Sequence, residues 1–214
     1  PMIFDVTELE SQEKYRLLTG GITPRPIAWI STRSAEGVDN LAPYSFFTVA
    51  SCNPPVLLYT QVTQRSGIDK DTLQNLLATK QCVVNIVSAD LIEKMNQTSA
   101  SLAHDESEFD FAGIESCASH LVSPRSVQDS LIRYECTLRE TLSINHTSMN
   151  GLPAGDAPIN AMGGTVIMLD VKSIYVRDDL YDNGIINQHL VNSVGKMGSD
   201  FFSLTSEMLE LQRP

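Results

Sequence analysis

Three strand-length runs follow one another between residues 24 and 62 with no helix-length segment between them. Pro24 to Thr32 (Pro-Arg-Pro-Ile-Ala-Trp-Ile-Ser-Thr) reads as a strand opened by a proline-rich turn. Residues 33–39 form a loop punctuated by Gly37. Residues 40–50 read as a second strand and Val56 to Val62 as a third. Pro43 places the second at an edge or bulge, because proline cannot donate to a ladder. Further on, Cys82 to Val87, Leu131 to Ile144 and Val166 to Val176 add strands. One clear helix falls at 72–80, where Leu73, Leu76 and Leu77 share a face, with Asp71 as N-cap and Gln74 completing a capping box. Short helices are expected near 89–98 and after Gln188, whereas 99–130 is polar and resists assignment. With no strand–helix alternation, a doubly wound parallel sheet is disfavoured and a barrel with a few helices at its ends fits.

At 214 residues the chain has room for one domain, residues 1–214 with a core over about 15–200. No apolar run approaches the roughly 18 residues of a membrane span, and Pro1 to Val6 lacks the pattern of a signal peptide, so a cytoplasmic protein without membrane contact is expected. The cysteines at 52, 82, 117 and 136 and the histidines at 104, 120, 146 and 189 show no metal-ligand spacing. A net charge of -11 argues against nucleic acid as a partner. It also means that any bound phosphate must be held by cations gathered locally.

Lys70-Asp71-Thr72 offers such a gathering. A lysine and a hydroxyl stand at a helix start, where the first amides have no intrahelical acceptor. Arg65 and Ser66 are close enough in sequence to join them. The same residues also suit a capped surface helix with a solvated lysine. Residues 40–53 mix small polar groups with aromatics, as a ring-binding wall or a plain barrel strand would. Cys52 as a nucleophile would need a cation or base that the sequence does not name. His104, among Asp105, Glu106 and Glu108, is a weak candidate for proton handling beside the ordinary reading of a surface histidine. Trp29 suits a core or a pocket wall.

Several segments in order resemble the flavin-reductase-like family with an FMN-binding split barrel. They are Pro24 to Thr32, Gly37, Asn40-Leu41-Ala42-Pro43-Tyr44-Ser45-Phe46-Phe47, Pro54-Pro55, Lys70-Asp71-Thr72, Asn75, Val84-Asn85, Ser107-Glu108-Phe109 and Glu135-Cys136. Within that family the subgroup looks like flavoredoxins and the reductase components of two-component monooxygenases. The resemblance implies a mainly β, six-stranded antiparallel Greek-key split barrel with a few flanking helices, paired as a homodimer around FMN. It implies phosphate contacts from Arg65, Ser66, Lys70 and Thr72. It places Asn40, Ala42, Tyr44, Ser45 and Phe46 against the flavin ring, and Ser51, Cys52 and Asn53 at its N5 edge. Ser31 and Thr32 would touch the ring or the ribityl chain.

Where family members carry Gly-Glu-Val and Gly-Arg-Leu-Gly-Gly-x-Tyr, this chain has Gly164-Thr165-Val166 and Gly195-Lys196-Met197-Gly198-Ser199-Asp200-Phe201. Lysine does not replace arginine at a bidentate site. The resemblance therefore supports two activities. One is an NADH- or NADPH-dependent reductase in which FMN, as prosthetic group or substrate, hands electrons to flavin or another acceptor. The other is an FMN electron carrier served by a protein partner. A domain that has lost its cofactor is a third reading, and Arg65, Lys70 and Thr72 speak against it.

Overall fold

The computed structural model describes residues 1–62, 70–144 and 162–212. Its largest sheet holds seven strands: β1 (Ala28–Arg33), β2 (Asp39–Tyr44), β3 (Phe47–Cys52), β4 (Pro55–Val62), β5 (Gln81–Ile86), β6 (Ile132–Ile144) and β7 (Gly164–Val176). They lie in the order β2-β1-β5-β6-β7-β4-β3, and each neighbouring pair is antiparallel. The sheet has one strand more than the resemblance implies because 40–50 is not continuous. It breaks at Ser45 and Phe46 into β2 and β3, which become the two opposite edges.

That break forces the sheet to curl. Laid flat, seven strands would hold their outer edges about 28 Å apart. The three Cα steps from Tyr44 to Phe47 reach only about 11 Å. The edges therefore meet, and the seam is visible in its bonds. The Thr60 amide donates to the Phe46 carbonyl at 2.8 Å, continuing the β3–β4 ladder, and across the seam the Tyr44 hydroxyl donates to Gln61 Oε1 at 3.2 Å. The Tyr44 and Tyr59 rings lie 4.9 Å apart. The expected mainly β, antiparallel barrel with few helices is the architecture found. Pro43 sits on an edge strand opposite Trp29, where its missing amide is tolerated.

Alternation along β1 separates two cores. Ala28 and Ile30 point into the barrel with Tyr44, Tyr59, Leu57, Ile167, Leu169, Cys82 and Cys136. Trp29, with Ile27, Leu41, Met95 and Phe109, packs outside it under α3 (Ile92–Gln97) and α4 (Glu108–Phe111). Trp29 is fully buried, and its indole N–H donates to Thr98 Oγ1 at 2.9 Å. The helix expected at 72–80 is α2, Asp71–Thr79. Leu73 and Leu76 enter the barrel core, but Leu77 is 41% exposed. Asp71 is the first helical residue rather than the N-cap; Lys70 takes that position, without a side-chain cap. The reason is visible nearby: the Asp71 carboxylate is turned to His104 Nδ1 at 2.8 Å. A helix at Ser11–Gly21 precedes the first strand, without counterpart in the sequence reading. No helix among the described residues is long and apolar enough to cross a membrane.

Arg25–Pro26 pairs with Val194–Lys196, placing Gly195 directly beside Pro24. A Cβ on Gly195 would stand 2.6 Å from Pro24 Cβ and 2.6 Å from Ser203 Oγ. Gly195→Ala should therefore lower stability by about 1–3 kcal/mol, the ordinary cost of overpacking. Urea denaturation would read this as a lower midpoint at unchanged slope.

Candidate functional site

Two clefts open on either side of Pro43 and share Lys70. The first, about 310 Å³, is lined by Asn40, Ala42, Thr72, Glu108 and the 98–102 segment, with Asp71 at its rim. The second, about 420 Å³, is walled by Tyr44, Ser45 and Phe46, with Tyr15 and Thr60 opposite. Both follow from the barrel seam, because β2 ends there and α2 begins over it.

A buried polar network sets the first cleft. Glu108, 5% exposed, accepts from Asn40 Nδ2 at 3.1 and 2.9 Å and from the Leu41 amide at 2.9 Å. Burial raises its pKa above the ordinary carboxylate value, partly opposed by those donors. Asn40 Oδ1 in turn accepts from the hydroxyls of Thr72 at 2.9 Å and Thr32 at 3.2 Å. Asn75 Nδ2 donates to Thr32 at 3.2 Å. Three segments far apart in sequence are locked into one wall by these bonds. Glu108 and Asn75 appear in the sequence only as parts of longer motifs; nothing in their spacing marks Glu108 as the carboxylate that orients Asn40.

Lys70 differs from the other members of the site. Its ammonium lies 5.4 Å from the Tyr44 ring centroid. It forms no ion pair among the described residues. Burial lowers its pKa below the ordinary lysine value. A desolvated cation facing two clefts beside the open amides of a helix start is an arrangement that an anion stabilises. His104 stands at the rim, where the neighbouring Asp71 carboxylate raises its pKa. It is largely exposed and reaches the cleft only through Asp71.

The structure thus gathers Asn40, Ala42, Tyr44, Ser45, Phe46, Lys70 and Thr72 around two contiguous clefts. Ser31 and Thr32 lie beneath them, fully buried. The Ser31 hydroxyl donates to the Arg125 carbonyl at 2.6 Å, and Thr32 is spent on Asn40. The Thr72 hydroxyl points inward as well, leaving its amide rather than its side chain for an anion. Ser51, Cys52 and Asn53 sit at the far end of the β3–β4 hairpin, where Cys52 pairs with Pro55, and line neither cleft. Cys52 is exposed, with no cation or base beside it among the described residues. Arg65 and Ser66 lie outside the described residues. Lys196 donates to the carbonyls of Ser199 at 2.7 Å and Phe201 at 3.4 Å, and lies 4.1 Å from the Phe202 ring centroid.

The profile of the flavin reductase like domain matches residues 20–195. An uncharacterized protein of Halalkalibacterium halodurans is 34% identical over 206 residues, covering 96% of this chain and 93% of that one. Among solved structures, nitrilotriacetate monooxygenase component B from Bacillus cereus superposes with a TM-score of 0.86 at 27% identity, over 99% of this chain and 98% of the other. The 2-nitrobenzoate 2-nitroreductase of Pseudomonas fluorescens gives 0.83 at 25% identity, over 100% and 96%. The seam clefts, the Lys70 cradle and these matches agree: the chain belongs to the flavin reductase-like family.

Proposed function

We propose that this chain binds FMN in the two seam clefts and works as an NAD(P)H-dependent flavin oxidoreductase, as a single-domain homodimer in the cytoplasm. Membership of the family supports flavin oxidoreductase chemistry. The observation that carries the cofactor assignment is Lys70, a partly desolvated cation with no ion pair among the described residues, in a chain of net charge -11, set at the junction of the two clefts. The donor set fits a phosphorylated flavin. Lys70 and the amides of Asp71 and Thr72 would receive the phosphate. The Pro43–Phe46 edge and Tyr44 would flank the ring, while Asn40, held by Glu108, presents a fixed polar group. Bound there, FMN supplies the electron chemistry itself. The chain's part is to bind, orient and shield it.

Pairing of two chains is supported by an apolar cleft of about 460 Å³ next to the site, lined by Leu18, Ile22, Pro24, Phe46 and Phe47. Leu18 and Ile22 are 62% and 64% exposed. Four unpaired cysteines suit a reducing compartment.

The second reading, an electron carrier that does not use nicotinamide nucleotides, is favoured by one observation. The ammonium of Lys196, at the position of the family's arginine, is turned into its own loop. Purified protein should be yellow and retain FMN through gel filtration. Anaerobic NADH or NADPH should then bleach the flavin band within the turnover time. A colourless protein that takes up no added FMN refutes the cofactor assignment, and a yellow protein that neither nucleotide bleaches selects the carrier.

A further inference from the structure

His104 is exposed, yet its ring has a fixed partner: Nδ1 lies 2.8 Å from Asp71 Oδ1. Asp71 opens α2 at the rim of the cleft that Lys70 enters. His104 follows the 98–102 stretch, which lines the same cleft. The pair therefore ties two walls of one cleft together. Among the described residues, the other hydrogen bonds of 99–106 run to the end of α3, from Ser99 to Asn96 and from Ala100 to Gln97, or stay within the stretch, between Ala103 and Glu106. Lys70, adjacent in the chain, forms no ion pair with Asp71. The carboxylate is compensated by the imidazole, and the lysine is left for another anion. Around the ring, Asp71 on α2, Glu36 in the β1–β2 turn and Asp105 on its own stretch all favour the imidazolium. Around Asp71, Lys70 and Glu108 line the same cleft, and the buried Tyr44 phenol stays neutral. An exposed pair of this kind contributes little to stability. A bare carboxylate beside Lys70, however, would repel a phosphate and compete for the ammonium.

We propose that His104 is a positioning residue for the flavin phosphate, acting through Asp71: its imidazolium neutralises the carboxylate at the rim and clasps the 98–102 wall to the start of α2. This rests on FMN occupying the seam clefts. The clasp is complete while the imidazole is protonated. The hydrogen bond and charge of Asp71 hold that pKa above the ordinary value of 6.5. As pH rises through the raised value, the carboxylate loses its counter-charge and the wall its charged tie, and phosphate affinity falls. Linkage makes the effect reciprocal, so a bound phosphate raises the imidazole pKa further. Substitution of His104 leaves the titration of Lys70 in place, which separates the two dependences.

The test is the affinity of the flavin-free protein for FMN and for riboflavin, which lacks the phosphate, measured by fluorescence titration over about pH 5–8, the range in which an imidazole titrates. His104→Gln removes the charge at an exposed position and keeps a side-chain amide, so the fold is retained; circular dichroism checks it. At the acid end the variant should bind FMN about three- to fivefold more weakly than wild type, the scale of one exposed ion pair. The two affinities should converge as pH rises. Taking their ratio cancels the second ionisation of the phosphate itself, which falls near pH 6. For riboflavin the ratio should stay at one throughout. In an Asp71→Asn background, His104→Gln should change FMN affinity no further. A flat FMN ratio of one overturns the proposal. So does an equal loss for FMN and riboflavin at every pH, which is the mark of a merely structural residue. Absence of FMN binding in both proteins refutes the reading of the clefts and this inference with it, whereas firm binding at a flat ratio refutes the inference alone.

Discussion

Lys70→Ala should weaken FMN binding by roughly ten- to a hundredfold while leaving the barrel folded. A charge-assisted hydrogen bond contributes about 1.5–3 kcal/mol, and each 1.4 kcal/mol is about a factor of ten in affinity. Lys70 is the N-cap of α2 but makes no side-chain cap there, so its removal takes no bond from the helix. Flavin fluorescence titration measures the affinity, and an unchanged dissociation constant would remove Lys70 from the site. The pH dependence has a definite sign. Burial depresses the lysine's pKa in the free protein, and a bound anion favours its charged form. Affinity should hold while Lys70 is protonated and fall as pH rises through that depressed value. The alanine variant should lose this alkaline dependence.

Glu108→Ala should cost about 2–5 kcal/mol of stability. It strips acceptors from two buried donors, Asn40 Nδ2 and the Leu41 amide, each worth about 1–3 kcal/mol when left unsatisfied. Glu108→Gln keeps an acceptor and should cost distinctly less. Urea titration separates the two, and equal, small losses would show that the network is dispensable. The wild-type carboxyl also gives a signature in pH. Its folded pKa is raised above the unfolded value. Its contribution is therefore fully present below the unfolded pKa and is lost as pH rises through the folded one. The glutamine variant should not show that decline. Because Asn40 faces the cleft, both substitutions should weaken flavin binding as well.

The strands that carry the site were legible from composition and spacing: the runs expected at 24–32, 56–62, 82–87 and 131–144 each hold a strand of the large sheet, although the first joins it only from Ala28. The break at Ser45–Phe46 was not, because both residues are compatible with an extended strand and only closure of the sheet requires the chain to change edges there. The helix at Ser11–Gly21 packs little of its surface, with Thr19 its one buried residue, so its apolar pattern is weak. Lys70 was readable as a local cation because helix starts have a chemical signature. The inward turn of Thr72 was not, since its direction depends on Asn40, thirty-two residues away. Ser31 and Thr32 show the same limit. β1 is covered on both faces, and a small polar residue in such a strand looks alike in sequence whether it meets a ligand or a backbone carbonyl.

The two residues joining opposite edges of the sheet also couple occupancy to cohesion. A molecule seated beside Ser45 and Phe46 would bear on both margins of one continuous ladder, so dissociating it and parting those margins become facets of one equilibrium. Cofactor concentration would then act as a dial on how tightly the whole cylinder is cinched. Hydrogen exchange in the flavin-free protein should begin along that line of weakness, before the β6–β7 ribbon opens.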